Sequence, residues 1–245
     1  MTNKLPYQEE KIQQYIVQFA HRVPVRKQLT AGEKKALENV LKDLDASVFQ
    51  LFEETSVQNP ACLFQVLCQH PVEATQITLP SFILTNDSFS FVYPMMVLGK
   101  KIKGMDLDNS SLNSQMSQWS FKIQEIITNL HSQRVGKIFE LVIGPFSPDE
   151  KGRILKNIFS QGLIFNEMGE INLTFAYYRE LNDSTFNIQT GLHFQQLNLE
   201  QPFFITVRVD INNRILSQSL EPQQVRKIWD KADTVIGEHL QTILS

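Results

Sequence analysis

The chain has 245 residues, with 23 Lys and Arg against 26 Asp and Glu and a formal net charge of −3. A hydrophobic fraction of 42% with 20% charged residues is typical of a folded globular protein and excludes a wholly disordered one. No apolar run approaches the roughly 20 residues that cross a bilayer, and the N-terminus lacks the apolar core of a secretory signal. We therefore expect a cytoplasmic protein whose cysteines are free thiols. Because its net charge is close to neutral, we expect it to bind neither membranes nor nucleic acid.

The first 70 residues have the pattern of an α-helical segment. Thr30 and Glu33 have the spacing of a capping box, in which each side chain bonds the other residue's backbone amide at the start of a helix. Apolar residues recur at helical spacing in three stretches, which are 12–23, 31–54 and 60–70. We predict a helical N-terminal segment over 1–70 and an α+β domain over 71–245.

The middle of the chain mixes strands with helices. Alternating apolar residues predict a strand pair over 76–85 and 88–97, joined by a turn at Asn86-Asp87. After this pair the sequence predicts an exposed connector at 99–104 and an amphipathic helix at 111–130. A strand at 134–143 and a short helix at 148–161 follow.

Residues 170–211 have the pattern of a three-stranded antiparallel meander. Apolar and polar residues alternate strictly in three successive segments, which indicates a sheet with one buried face and one polar face. A turn that pairs Leu181 with Ser184 fixes the register of the first two strands. Three further pairs follow from it, namely Asn172 with His193, Thr174 with Gly191 and Tyr178 with Asn187.

The last predicted element is an amphipathic helix over 220–244, with Pro222 in its first turn, where a missing N–H costs little. The long helices each offer one apolar stripe and the sheet offers one apolar face. We therefore predict an α+β fold, in which long amphipathic helices cover one face of an antiparallel sheet. That sheet would contain the C-terminal meander, the earlier hairpin and the middle strand.

The same register brings polar residues of the meander onto one sheet surface. In the hypothesis that this surface is a ligand or partner site, Arg208 anchors an anion and His193 carries a proton. In the alternative, polar residues stand there simply because the face meets water. The candidate binding residues are Tyr178, Gln189, His193, Phe204, Arg208 and Asp210.

Sequence signatures of catalysis are absent. The chain has no glycine-rich phosphate loop, no nucleophile elbow and no zinc motif, and its five histidines are scattered singly. We therefore predict no catalytic residue, no metal and no cofactor. The favoured function is a non-catalytic binding protein that recognises a protein partner or a second copy through its polar sheet face. The alternative is a small-molecule carrier or an enzyme with an apolar pocket between sheet and helices.

Short motifs in residues 71–245 resemble an uncharacterised, sporadically distributed bacterial protein family. Its members carry an Arg-Val-Gly stretch in the middle strand and an acidic strand end near the C-terminus, as at 134–136 and 209–212 here, and 71–74 resembles the start of their first strand. The chain departs from the family pattern at 137–140 and in the segment that precedes residue 71. The resemblance implies a bacterial, cytosolic origin and no particular activity.

Overall fold

A computed structural model describes residues 11–26, 28–43, 50–53, 62–69, 81–97, 99–101, 109–158, 170–181, 184–196, 202–214 and 220–244. These residues form ten strands and four helices. The strands are β1 (Ile12–Arg22), β2 (Gln50–Glu53), β3 (Cys62–Gln69), β4 (Ser81–Thr85), β5 (Ser88–Val97), β6 (Lys100–Lys101), β7 (Arg134–Phe146), β8 (Glu170–Leu181), β9 (Ser184–Gln195) and β10 (Phe203–Asn213). The helices are α1 (Ala31–Asp43), α2 (Asn109–Ile126), α3 (Pro148–Ile158) and α4 (Pro222–Leu244).

All ten strands belong to one antiparallel sheet, in the order β2-β3-β4-β5-β1-β7-β10-β9-β8, with β6 paired to β5. The predicted α+β class with an antiparallel sheet is confirmed. The first strand of the chain lies at the middle of the sheet, between β5 and β7. Strands from both ends of the sequence therefore share one hydrophobic core.

The core lies between the sheet and the helices. Along β10 the odd-numbered residues from Phe203 to Ile211 are buried, whereas the even-numbered ones from Phe204 to Asp210 are partly or fully exposed. The odd-numbered side chains face α4, which also packs against α2. We call this side of the sheet the helix-covered face and the other side the polar face. Core side chains with almost no exposure include Val17, Phe19, Phe139, Val207, Val209 and Trp229.

Several predicted elements are confirmed. The meander has the predicted register, with Leu181 opposite Ser184 and Asn172 opposite His193. The capping box forms: the Thr30 amide donates to Glu33 Oε2 at 2.8 Å, and the Glu33 amide donates to Thr30 Oγ1 at 3.2 Å. The predicted helices over 111–130 and 220–244 correspond to α2 and α4, and the middle strand corresponds to β7.

The predicted helical character of residues 1–70 is wrong for the described strands β1, β2 and β3. Among the described residues of this segment, α1 is the one α-helix. The helix prediction for β1 depends on Ile12, Ile16 and Phe19, which recur at helical spacing, but Ile16 lies opposite Glu140 on the polar face whereas Phe19 is buried on the other face. The pairing of β1 with β7 also shifts register between Ile12 and Gln14, and this bulge puts Ile12 on the same buried side as Tyr15.

Other boundaries also differ from the prediction. α1 ends at Asp43 rather than near residue 54, and Lys100–Lys101 form the short strand β6 instead of an exposed connector. Because β1 pairs with β5 and β7, the N-terminal segment and the rest of the chain contribute to one sheet. Parts of the predicted elements, at 76–80, 102–104 and 159–161, lie outside the described residues.

Candidate functional site

The structure places all six predicted binding residues on the polar face. Residues directly opposite each other on neighbouring strands share a face, and the pairings connect Arg208 to Gly191, Asp210 to Gln189, and Thr206 to His193. Phe204 lies opposite Gln195 on the same face, and Tyr178 lies opposite Asn187. The predicted common surface therefore exists, and it spans β8, β9 and β10.

The six residues do not converge on one point. Phe204 and Asp210 are six residues apart on β10, a separation of about 20 Å at 3.3–3.4 Å per residue. Tyr178, whose side chain is 70% exposed, stands at the far end of the face on β8. The six candidate residues are therefore spread along the polar face.

Arg208 is already engaged on this face. Its Nη1 donates to Glu140 Oε2 at 3.0 Å, and Glu140 also accepts a hydrogen bond of 3.2 Å from Gln14 Nε2. The Arg208 and Glu140 side chains remain 54% and 32% exposed, so the pair is solvated and contributes little to stability. Any anion that Arg208 anchors must compete with the Glu140 carboxylate, which sequence reasoning did not identify.

A series of side-chain hydrogen bonds lies at the end of the polar face where β10 ends. The Arg134 guanidinium donates through Nε at 2.8 Å, and also through Nη2, to Asn212 Oδ1. Asn212 Nδ2 in turn donates to Asp210 Oδ1 at 2.9 Å. At the same end, the Arg214 guanidinium lies 5.9 Å from the centre of the Tyr178 ring.

The helix-covered face holds a buried polar cluster that the sequence analysis missed. Lys137 on β7 is 0% exposed, and its Nζ donates to Asp233 Oδ1 at 2.5 Å and to Asn113 Oδ1 at 2.8 Å. Asn113 Nδ2 donates to Asp233 Oδ2 and Asp230 Oδ1 at 2.7 and 2.8 Å. The cluster therefore ties α2 and α4 to the centre of the sheet.

The electrostatics of this cluster reflect its burial. Desolvation lowers the pKa of Lys137 and raises the pKa of Asp233, while the attraction between the two charges opposes both shifts. The Lys137 ammonium also lies 4.9 and 5.2 Å from the ring centres of Phe19 and Phe139, within cation–π range. One feature of the sequence points to this cluster. Lys137 lies two residues from both Val135 and Phe139, so it shares their buried face of β7.

His21 is a second buried polar group on the helix-covered face. It is 1% exposed, with Nδ1 2.7 Å from Ser132 Oγ and Nε2 2.8 Å from Ser120 Oγ. Its ring stacks on Phe89 at 4.3 Å between centres. Burial lowers the pKa of His21 to about 3, so the imidazole is neutral in the folded protein at neutral pH. The two hydroxyls satisfy this neutral ring, which makes it a structural group and not a proton carrier.

His21 should make the protein less stable as the pH falls. Between the unfolded pKa of 6.5 and the folded pKa of about 3, the unfolded chain binds one proton more than the folded one. The free energy of unfolding should therefore drop by about 1.4 kcal/mol per pH unit below pH 6.5 from this group. Urea titrations between pH 6.5 and 4.5 should show a shallower dependence for His21→Gln. An identical slope in both proteins would refute this assignment.

The described residues contain no group of three or more His, Cys, Asp or Glu placed to hold a metal ion. No helix among them is both long enough and apolar enough to cross a membrane.

Comparison with known proteins assigns no family. No family model matches the chain, and no curated protein matches it. Among solved structures, one alignment pairs the chain with the crystal structure of the di-domain ARO/CYC StfQ from the steffimycin biosynthetic pathway. It covers 93% of this chain and 97% of that one at 8% identity, with a TM-score of 0.20. A score this low supports no argument about fold or function.

Proposed function

We propose that this chain is a non-catalytic binding protein that recognises a protein partner, or a second copy of itself, through the polar face. One observation carries the proposal. Among the described residues, the side-chain contacts between helices and strands involve the helix-covered face, as in the pairs Lys137–Asp233, Ser120–His21 and Thr190–His239. In the described part of the chain, the hydrogen bonds that Arg208, Glu140 and Asp210 form on the polar face join strand residues to other strand residues.

The chemistry of the polar face suits a protein interface. Charged and amide side chains alternate with partly exposed apolar ones, including Ile16, Ile138, Val142 and Phe204. Non-obligate interfaces combine polar and apolar area in this way. Five strands at about 4.8 Å spacing and about 20 Å of strand length give a flat area of roughly 500 Å², about three fifths of the ~800 Å² per partner of a standard interface.

The alternative function, a carrier or enzyme with a pocket between sheet and helices, has less support. At the centre of that interface Phe19 meets Trp229 edge to face at 4.8 Å. Trp229 Nε1 donates to the Gly136 carbonyl oxygen at 3.1 Å, and the indole is 0% exposed. Since these side chains fill the space by contacting one another, we favour the binding function.

Site-specific photo-crosslinking tests the proposal. A benzophenone side chain at Gln189, which is exposed on the polar face, should crosslink to a partner or to a second copy in the cells that produce the protein. The matched control carries the same group at Lys227, which is exposed on α4 away from the sheet. Equal yields of the same species from both positions, or no product from position 189, would contradict the proposal.

A further inference from the structure

Three arginines stand side by side at one end of the polar face. Arg22 ends β1 and lies directly opposite Arg134, which begins β7. Arg214 follows the last residue of β10, and its amide donates to the Thr185 carbonyl oxygen. Because Asn212 lies opposite Gly136, Arg214 is level with Arg134 on the neighbouring strand. We call these three residues the arginine row.

Among the described residues, one member of the arginine row, Arg22, forms an ion pair. Arg22 is 3.5 Å from Asp87 in a pair whose side chains are 55% and 45% exposed. Arg134 bonds the neutral amide of Asn212, and Arg214 lies over the Tyr178 ring. Among the described residues, neither Arg134 nor Arg214 forms an ion pair with a carboxylate. Like charges side by side on adjacent strands destabilise a sheet, so a bound anion would relieve this repulsion.

Small residues lie on the strands beside the arginine row. The next position on β7 is Gly136, which pairs with Ala20 on β1, and Ala20 pairs with Ser90 on β5. These small residues leave no long side chain next to Arg22 and Arg134. Gly136 must stay small, because an added Cβ would lie 3.0 Å from Asn212 Cβ and 3.2 Å from the Ile211 carbonyl oxygen. Asn212 therefore fills the space beside Gly136, so an anion would contact the guanidinium groups and not the β7 backbone.

We propose that the arginine row binds a phosphate group. Guanidinium groups donate paired hydrogen bonds to oxyanions and stay charged at every physiological pH. A phosphate monoester offers up to two negative charges and three terminal oxygens, whereas a carboxylate offers one charge and two oxygens, so phosphate matches several guanidinium groups better. This inference rests on the proposed function, because the arginine row forms one end of the polar face.

Nuclear magnetic resonance of the arginine Nε–Hε groups provides the test. Titration of the full chain with inorganic phosphate should shift the signals of the arginine row saturably. Phenyl phosphate, compared with inorganic phosphate, distinguishes a site for phosphate esters from one for the free anion. Acetate at equal ionic strength should shift the three signals little. Equal shifts with acetate, or equal responses from all exposed arginines, would overturn the proposal.

Variants identify the residues responsible. Arg134→Gln with Arg214→Gln should weaken phosphate binding at least roughly tenfold, because two charge-assisted interactions are lost. Because Arg134 also holds Asn212, Arg22→Gln with Arg214→Gln provides a second variant that leaves this bond intact. The matched control, Arg153→Gln with Arg226→Gln, removes two exposed arginines from helices α3 and α4. Wild-type affinity in both arginine-row variants would refute the site.

The phosphate site and the partner surface can be disproved independently of each other. Phosphate binding without crosslinks from position 189 would keep the phosphate site and remove the macromolecular partner. Crosslinks without phosphate binding would keep the partner surface and remove the phosphate site.

Discussion

Asp233→Ala is expected to lower the free energy of unfolding by about 3–5 kcal/mol, because it leaves the buried Lys137 ammonium without its counter-charge. Lys137 is 0% exposed and cannot reach water without moving α2 or α4 from the sheet. Asn113 would remain as a neutral acceptor at 2.8 Å, which does not compensate a full charge. Urea unfolding followed by tryptophan fluorescence measures the loss.

Two further variants separate the charge effect from simple loss of packing. Lys137→Met with Asp233→Leu replaces the pair by apolar groups and should be markedly more stable than Asp233→Ala alone, since no buried charge is left. Asp230→Ala removes a half-exposed carboxylate from the same helix and should cost about 1–2 kcal/mol, because Asn113 Nδ2 loses one acceptor but no buried charge loses its partner. Equal losses in all three proteins would show that the ion pair has no special role.

Trp229→Ala should cost about 3–5 kcal/mol, since it empties the largest fully buried side-chain site in the described core. The indole packs edge to face on Phe19 and His21, with ring centres 4.8 and 5.3 Å away. It also satisfies the Gly136 carbonyl oxygen through Nε1. Loss of the indole therefore removes packing from α4, β1 and β7 together.

Trp119 provides the matched control for Trp229. It is only partly buried on α2 and meets Phe91 at 6.0 Å between ring centres. Trp119→Ala should lose less than half as much stability as Trp229→Ala in the same urea titration. A larger loss at Trp119 would mean that the core is centred elsewhere in the sheet.

The C-terminal half of the fold was predictable because its pattern is simple. In β8, β9 and β10 apolar and polar residues alternate with few exceptions, such as the buried Thr190 and the partly exposed Phe204, and the short turn after Leu181 fixes the register. Strict alternation allows only one register that buries all the apolar residues, since a slip by one residue would expose them. The helix stripes of α2 and α4 have equally regular spacing, which made both helices recognisable.

The N-terminal half was not predictable from local pattern alone. β1 lies in the middle of the sheet, and the bulge near Ile12 breaks its alternation. Short apolar runs such as β3 fit a strand and a helix equally well, because only the neighbouring strands decide between them. The partners of β1 are β5 and β7, far away in sequence, so no local signal could identify them.

The candidate surface was predictable only in part. The shared face of Arg208, Asp210 and His193 could be predicted, because every second side chain of a strand points to the same side of the sheet. The arginine row was missed, since it needs β1 beside β7, and β1 had been assigned to a helix. The Lys137 cluster was missed for a similar reason: its partners on α2 and α4 come from distant parts of the chain.

Native mass spectrometry tests the central claim, that the polar face is the binding surface, most directly. We predict that the wild-type protein carries a partner or a second copy that His193→Glu with Arg208→Glu loses. The matched charge reversal on helices α2 and α4, Lys122→Glu with Lys227→Glu, should retain it. Identical assemblies and masses for the wild-type protein and the polar-face variant would contradict the claim.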